Sequence, residues 1–114
     1  MKVIVAGSRS ITNYLTVKNA IVASGFEVTE VVSGGAKGVD SSGEEWARLN
    51  GVPVKRFIPD WSGKGKGAGF IRNEDMARYA EALVLVWDGQ SKGSSHMLKS
   101  ARQRNLKIYV AIAT

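Results

Sequence analysis

The sequence predicts a single α/β domain with a Rossmann-like three-layer architecture and a five-stranded, mainly parallel sheet. The chain has 114 residues, the usual size of one domain. Five short apolar runs rich in β-branched residues alternate with four segments of helical patterning, and glycines gather in the loops that follow the apolar runs. We find no linker, internal repeat or low-complexity tract, so we expect one domain over residues 1–114.

The five apolar runs are predicted to be strands. They are near-continuous rather than alternating, as expected for parallel strands covered on both faces. The runs are Lys2–Ala6, Val28–Val32, Val52–Phe57, Ala82–Trp87 and Lys107–Ile112. The apolar stretch from Val3 to Ala6 is too short for the core of a signal peptide, so we interpret it as the first buried strand.

The segments between the strands are predicted to be helices. They cover about Tyr14–Ser24, Ser41–Asn50, Gly69–Tyr79 and Ser94–Arg104. Overlapping Ser-x-x-Glu capping boxes at Ser41 and Ser42 predict the start of the second helix. Gly25, Gly51 and Asn105 are predicted to end helices, since each tolerates a left-handed backbone. The order βαβαβαβαβ predicts helices on both faces of the sheet but leaves the strand order open.

The stretch from Pro59 to Ala68 interrupts this regular pattern. It contains so many glycines that we predict a mobile loop rather than a helix. Lys64 and Lys66 within it would add positive charge near Arg72. Trp61 in the same loop could stack on a base or could pack the loop against the domain.

Composition restricts the functional classes. Sixteen Lys and Arg against ten Asp and Glu give a formal net charge of +6, which favours anionic partners such as nucleotides or nucleic acid, or leaves a solvated basic surface. Without Cys, the chain has no disulfide framework, thiolate metal site or cysteine nucleophile. With one His and no carboxylate cluster of ligand spacing, we expect no metal and no resident cofactor. No apolar run is long enough to span a bilayer, so we expect a cytoplasmic protein without a membrane partner.

Most glycines fall in the four loops that leave the carboxyl ends of strands and enter helices. Open α/β sheets bind ligands at that edge, where helix N-termini present unpaired N–H groups and glycine lets the backbone approach a phosphate. One such turn could need glycine for its own geometry, but four on one edge predict a phosphate-bearing ligand. The predicted ligand-binding residues are Gly7, Ser8, Arg9, Ser33, Gly34, Gly35, Lys37, Gly38, Asp40, Gly69, Arg72, Asn73, Asp88, Gly89, Ser91, Gly93 and Ser94.

Three features allow two interpretations each. Asp88 could accept hydrogen bonds from ribose hydroxyls or could form an Asp-Gly turn. His96 could be a catalytic base or a surface residue near the site. A late basic cluster could be a solvated helix face or a nucleic-acid patch, and it comprises Lys99, Arg102, Arg104 and Lys107.

Four blocks of sequence carry a family resemblance. They are Gly7-Ser8-Arg9; Ser33 to Asp40, which reads Ser-Gly-Gly-Ala-Lys-Gly-Val-Asp; Asp60-Trp61 followed by Gly69, Arg72-Asn73 and Met76; and Trp87-Asp88-Gly89 with Ser91 and Gly93. In this order they resemble the SLOG superfamily, the Rossmann-like group of the LOG phosphoribohydrolases and the DNA-processing DprA/Smf proteins. The nearest likeness is to its small bacterial and phage branch related to YpsA.

The resemblance bears on catalysis through one departure from the LOG pattern. LOG enzymes carry a Pro-Gly-Gly-x-Gly-Thr-x-x-Glu loop and an upstream Arg. Arg72 resembles that Arg, so the resemblance implies that Arg72 would be catalytic if the protein is an enzyme. Met97 stands where the catalytic Glu would be. A carboxylate stabilises the oxocarbenium character of N-glycosidic cleavage, so its loss argues against LOG-type hydrolysis unless Asp40, Glu44 or Asp88 replaces it.

We therefore expect a sensor or sequestering protein that binds a phosphate-bearing nucleotide or an NAD- or ADP-ribose-derived ligand at the C-terminal edge of the sheet. Two alternatives stay open: a LOG-like nucleotide phosphoribohydrolase, and a DprA-like accessory that binds nucleic acid. Because relatives pair through helices, the resemblance also implies a homodimer or higher homo-oligomer. The sequence names neither the base nor the number of phosphates.

Overall fold

The computed structural model describes residues 1–113, apart from the side chains of Lys64 and Lys66. The strands are β1 (Lys2–Gly7), β2 (Glu30–Ser33), β3 (Val54–Arg56), β4 (Ala82–Trp87) and β5 (Lys107–Ile112). The helices are α1 (Tyr14–Ser24), α2 (Val39–Leu49), α3 (Trp61–Lys64), α4 (Ala68–Tyr79) and α5 (Lys92–Gln103), with a 3₁₀ turn over Gly65–Gly67.

All five strands are parallel and lie in the order β3-β2-β1-β4-β5. The chain builds outward from β1 to β3, returns to pair β4 with β1, and then builds outward to β5. The predicted Rossmann-like fold is confirmed, and the sheet is entirely rather than mainly parallel. This order puts the topological switch point, where such folds bind ligands, between the carboxyl ends of β1 and β4.

The two central strands are covered on both faces, which explains their unbroken apolar sequences. Alternate residues of β1 point to opposite sides, so that Val3 and Val5 pack with α1 and α2 in one core. Ile4 and Ala6 pack with α4 and α5 in the other core. The result is three layers, with the sheet between two helix pairs. The strand β3, at one edge, is exposed along its whole length.

The second and third strands are shorter than predicted, and both differences follow from pairing. In the predicted run Val28–Val32, pairing begins only at Glu30, because Glu30 lies opposite Lys2, the first residue of β1. The predicted run Val52–Phe57 contributes three residues as β3, whose pairing with β2 covers the register from Val54 to Arg56.

The predicted start of the second helix is wrong. The helix begins at Val39, whose N–H donates to the carbonyl oxygen of Ser8, and Gly38 is its N-cap. The serines of the two predicted capping boxes lie within the first turns of α2, where Ser41 donates its hydroxyl to the carbonyl oxygen of Ala36. Tertiary contact with the loop after β1 therefore sets the start of the helix.

The prediction of an irregular loop over Pro59 to Ala68 is also wrong in part. The Asp60 carboxylate accepts a hydrogen bond of 2.9 Å from the Gly63 N–H and caps the short helix α3. The helices α4 and α5 begin slightly earlier than predicted, at Ala68 and Lys92. The predicted helix ends at Gly25, Gly51 and Asn105 all have positive φ, as expected.

Candidate functional site

A cavity of about 390 Å³ opens at the topological switch point. Its walls come from the loops after β1, β2 and β4, from Asp40 at the start of α2, and from one side each of α4 and α5. The lining residues are Ala6, Gly7, Ser8, Arg9, Ser10, Ala36, Asp40, Arg72, Asn73, Met76, Asp88, Ser91, Gly93, Ser94 and Met97. Its volume lies in the range of small-molecule sites, and its lining combines an apolar floor with convergent polar groups.

The loops after β1 and β4 are tied to each other. Ser8 is buried, its N–H donates to the carbonyl oxygen of Val86, and its hydroxyl accepts from the Asp88 N–H at 3.1 Å. A Cβ on Gly7 would overlap the carbonyl oxygen of Val86. Only glycine therefore allows the two loops to approach this closely, and the cavity wall they form is fixed by the backbone.

The loop after β2 is folded against the loop after β1. Gly38 has φ of +75°, and a Cβ there would lie 2.5 Å from the carbonyl oxygens of Ser8 and Arg9. This contact brings the start of α2 to the cavity, where Asp40 is only 5% exposed. The Asp40 carboxylate accepts a hydrogen bond of 3.2 Å from the Ala36 N–H and so holds the glycine loop in place.

Asp40 is the buried titratable group of the cavity. Burial raises its pKa from 3.8 to about 6, because the low-dielectric surroundings disfavour the charged form. A backbone hydrogen bond from Ala36 and the positive charge of Arg72 oppose this rise, whereas the charge of Glu44 adds to it. Asp40 therefore changes charge close to physiological pH, beside the basic groups of the cavity.

Arg72 reaches the cavity from α4. Its Nη1 donates to the carbonyl oxygen of Gly34 at 2.6 Å, and its Nε donates to Oδ1 of Asn73 at 3.0 Å. Burial lowers the pKa of Arg72; Asp40 raises it, and the nearby positive charge of Arg9 lowers it further. Arg9 and Arg72 are thus close enough to repel each other on the cavity wall, an arrangement that favours an anionic ligand.

Asn73 joins α4 to α5 beside Arg72. Its Nδ2 donates to the carbonyl oxygen of Gly93 at 3.2 Å and lies 3.2 Å from Nδ1 of His96. His96 stacks on Phe70, and partial burial lowers its pKa. His96 is not among the residues that line the cavity, so its geometry favours a surface role beside the site over that of a base within it.

The start of α5 faces the cavity, with the Asp88 carboxylate bonded to the N–H of its N-cap residue Ser91. The first turn contains no acidic residue, and Ser91 at the N-cap makes no side-chain capping bond. Its Oγ is buried and has no hydrogen-bond partner in the described part of the protein. A Cβ on Gly93 would meet open space. The unpaired N–H groups and the positive end of the helix dipole are thus available to an anion.

Asp88 forms the predicted turn. Its Oδ1 accepts hydrogen bonds from the N–H groups of Gln90 at 2.8 Å and Ser91 at 2.9 Å. These bonds, from Gln90 first and then Ser91, hold the pKa of Asp88 below its ordinary value. The carboxylate also lies on the cavity wall, so a contact with ribose hydroxyls stays a prediction.

Ten of the predicted ligand-binding residues line the cavity and seven do not. Those on the cavity wall are Gly7, Ser8, Arg9, Asp40, Arg72, Asn73, Asp88, Ser91, Gly93 and Ser94. Those elsewhere are Ser33, Gly34, Gly35, Lys37, Gly38, Gly69 and Gly89. Several of the seven support the site instead: Ser33 donates its hydroxyl to Glu44 at 2.6 Å, and Gly34 is the partner of Arg72. The side chains of Lys64 and Lys66 lie outside the described residues.

Sequence reasoning missed the apolar part of the lining. Ala6, Met76 and Met97 form the floor, and none of them was among the predicted ligand-binding residues. Met97, at the position of the LOG catalytic Glu, is 1% exposed. Among the described residues, Asp40 and Asp88 are the carboxylates on the cavity wall. Ser10 and Ala36 were also missed, although each adjoins a predicted glycine or arginine block.

The fold and the cavity define a Rossmann-like α/β protein with a polar site at its switch point, whose wall carries two arginines and two aspartates. The model of the YAcAr family (YspA, cpYpsA-related SLOG family) matches residues 1–63, and the chain belongs to that family. The chain is similar to the gene 61 protein of Mycobacterium phage D29, with 31% identity over 117 residues that cover 94% of this chain and 93% of the phage protein.

A solved structure with the same fold is that of DNA processing protein A (DprA) from Streptococcus pneumoniae. The TM-score is 0.77 at 19% sequence identity, and the match covers 99% of this chain. The chain spans 50% of that protein's length. Family membership supports a nucleotide- or nucleic-acid-related role in general terms.

Two further findings concern membranes and metals. In the described part of the chain, no helix has the length and apolar character needed to cross a bilayer. Within residues 1–113, no three His, Asp or Glu side chains are grouped so that they could hold a metal ion.

Proposed function

We propose that the protein binds a phosphate-bearing nucleotide, or a ligand derived from NAD or ADP-ribose, in the cavity at the switch point and acts as a sensor or sequestering protein. The observation that carries the proposal is the convergence of Arg72, Arg9 and the uncapped start of α5 on one cavity. Two guanidinium groups and a helix N-terminus supply the charge and donors that a phosphate needs.

The polar groups of the cavity also suit the rest of a nucleotide. Asp88 offers a carboxylate to ribose hydroxyls, and Ser91 at the N-cap of α5 lies on the same wall. The open space at Gly93 lets a ligand contact the backbone of the first turn of α5. The apolar floor excludes water from one side of the ligand and strengthens these polar contacts.

The test is retention of an intact ligand by the purified protein. It is incubated with nucleoside monophosphates, NAD, ADP-ribose and cyclic ADP-ribose isomers, and bound and free fractions are analysed by liquid chromatography and mass spectrometry. We expect one class to be retained without chemical change. Arg72→Ala should abolish this retention. The Arg78→Ala variant is its matched control, because Arg78 lies on the same helix as Arg72 but is exposed and paired with Asp75 at 3.0 Å. Failure of every compound to bind would contradict the proposal.

A second candidate is a nucleotide N-glycosidic hydrolase, and one observation favours it. Asp40 is a buried carboxylate on the cavity wall with a pKa of about 6, and raised carboxyl pKa values are common among catalytic acids and bases. Release of free base in the incubation, abolished by both Asp40→Asn and Arg72→Ala, would establish this activity. Met97 in place of a carboxylate makes simple binding the better-supported function.

A third candidate is a nucleic-acid-binding accessory, favoured by the net charge of +6 and by the fold shared with DprA. It predicts binding of single-stranded DNA that weakens steeply with salt. Combined substitution of Lys99 and Arg102 on α5 would reduce that binding, whereas Arg72→Ala in the cavity would not. Nucleotide binding without any DNA binding at low salt would exclude this candidate.

A further inference from the structure

The segment after β3 brings exposed apolar side chains to the region of Arg72. Ile58 is 64% exposed and Trp61 is 53% exposed, although both are large hydrophobic residues. Isolated exposed residues of this kind need no explanation, but Trp61 lies close to Arg72 of the cavity wall. The cap formed by Asp60 on α3 fixes the backbone from which Trp61 projects.

Trp61 lies near the guanidinium of Arg72, and Ile58 lies near the glycine loop that Arg72 contacts. A Cβ on Gly69 would lie 3.5 Å from Cη2 of Trp61 and 3.9 Å from Nη2 of Arg72, so the indole and the guanidinium contact the same point of α4. Nη1 of Arg72 bonds to Gly34, and Ile58 packs against the adjacent Gly35, where a Cβ would lie 2.6 Å from Cδ1.

From this arrangement we infer that Trp61 is the stacking platform for the base of a nucleotide whose phosphate lies in the cavity. The inference rests on the proposed function and adds a binding position for the base, outside the cavity that holds the phosphate. A planar base on the indole would cover the exposed surface of Trp61. Because stacking accepts any base, the ligand class is an aromatic nucleotide rather than a sugar phosphate.

The position of Trp61 distinguishes it from the other aromatic residues of the chain. Phe70 is 46% exposed but is already stacked on His96, at 4.3 Å between ring centroids. Trp46 and Trp87 are partly buried and pack against the two hydrophobic cores. Phe70 is therefore a matched control: an exposed aromatic residue on α4 whose ring is already stacked on His96.

The test compares adenosine 5′-monophosphate with ribose 5-phosphate by calorimetric titration. Trp61→Leu should weaken binding of the monophosphate about 5- to 100-fold and leave ribose 5-phosphate unchanged. Trp61→Phe should restore most of the affinity, and Phe70→Leu should have no effect. The monophosphate should quench tryptophan emission in the wild type, and this signal should disappear in Trp61→Phe although the ligand still binds.

Each other outcome overturns the inference in a distinguishable way. If Trp61→Leu binds the monophosphate as tightly as the wild type does, the inference fails and the proposed function stands. If the variant changes only the oligomeric state, Trp61 contacts a second copy of the chain and not a base. If neither compound binds the wild type, the inference and the proposed function fail together. Circular dichroism of each variant separates loss of binding from loss of fold.

Discussion

Nε of Arg72 donates to Oδ1 of its neighbour Asn73 at 3.0 Å, and this bond orients the guanidinium toward the cavity. Asn73 is itself held by its contact with the carbonyl oxygen of Gly93 on α5. The cationic group of the site therefore depends on a side chain that links the two helices of one face. Such a bond lets a single amide serve both packing and ligand recognition.

Replacement of Asn73 is expected to reduce both stability and ligand binding. Asn73→Ala leaves Nε of Arg72 and the Gly93 carbonyl without their partners in a buried region, which should lower the free energy of unfolding by about 1–3 kcal/mol. Thermal unfolding monitored by circular dichroism measures the change. Asp75→Ala, on the exposed side of the same helix, should change stability by less than about 1 kcal/mol. Equal effects of the two substitutions would show that Asn73 has no special role.

Two glycines of the cavity should respond oppositely to alanine. Gly7→Ala forces a Cβ into the carbonyl oxygen of Val86 and should destabilise the fold by several kcal/mol, on the order of 3 or more, as expected for overpacking against backbone. Gly93→Ala meets open space in a helix and should be neutral or stabilising by up to about 1 kcal/mol.

Gly93→Ala should nevertheless weaken nucleotide binding, because the added methyl group takes space where we propose that the ligand approaches the helix. Urea unfolding and a binding titration on the same two variants check both statements. A Gly93→Ala variant that is stable and binds normally would mean that the ligand does not contact the start of α5.

Asp40 should make stability depend on pH in a defined direction. Its folded pKa of about 6 is above the ordinary value of 3.8, so its contribution to the free energy of unfolding is full below about pH 4. That contribution is lost as the pH rises through 6. The wild type should therefore lose on the order of 2–3 kcal/mol relative to Asp40→Asn between pH 4 and pH 7.

Urea unfolding of both proteins at the two pH values gives this difference directly. Comparison with Asp40→Asn is needed because other titrating groups act on both proteins alike. If the free energies of unfolding of the wild type and Asp40→Asn change in parallel with pH, burial does not raise the pKa of Asp40. A wild type that becomes more stable than the variant as the pH rises would show that the bonds from Ala36 and the charge of Arg72 outweigh burial.

The central strands and the edge that bears the site could be predicted from the sequence, because burial on both faces and glycine-rich βα loops are local signals. Strand order could not be predicted, since the same alternation of strands and helices is compatible with several orders, of which the fold adopts the one that pairs β4 with β1. The start of α2 was missed because a contact with Ser8 overrides the local capping signal. The cavity floor was missed because apolar side chains such as Met76 and Met97 belong to the core and line the cavity at once, which only the fold shows.

The roles of the glycines also needed the structure. Gly7 and Gly38 were predicted to approach a phosphate, but each is required by a close contact with another loop of the protein. Gly93 alone of these three faces open space beside the cavity. A glycine in the sequence indicates that the backbone closely approaches another group, but only the fold shows whether that group is a ligand or another loop of the protein.

The most direct test of the central claim is a calorimetric titration of the nucleotide that the wild type retains most tightly, carried out on Arg72→Ala and Arg78→Ala. We predict that Arg78→Ala binds as the wild type does and that Arg72→Ala binds at least about tenfold more weakly, since a charge-assisted bond to phosphate is lost. Equal affinity in the two variants would contradict the claim that the cavity beside Arg72 is the nucleotide site.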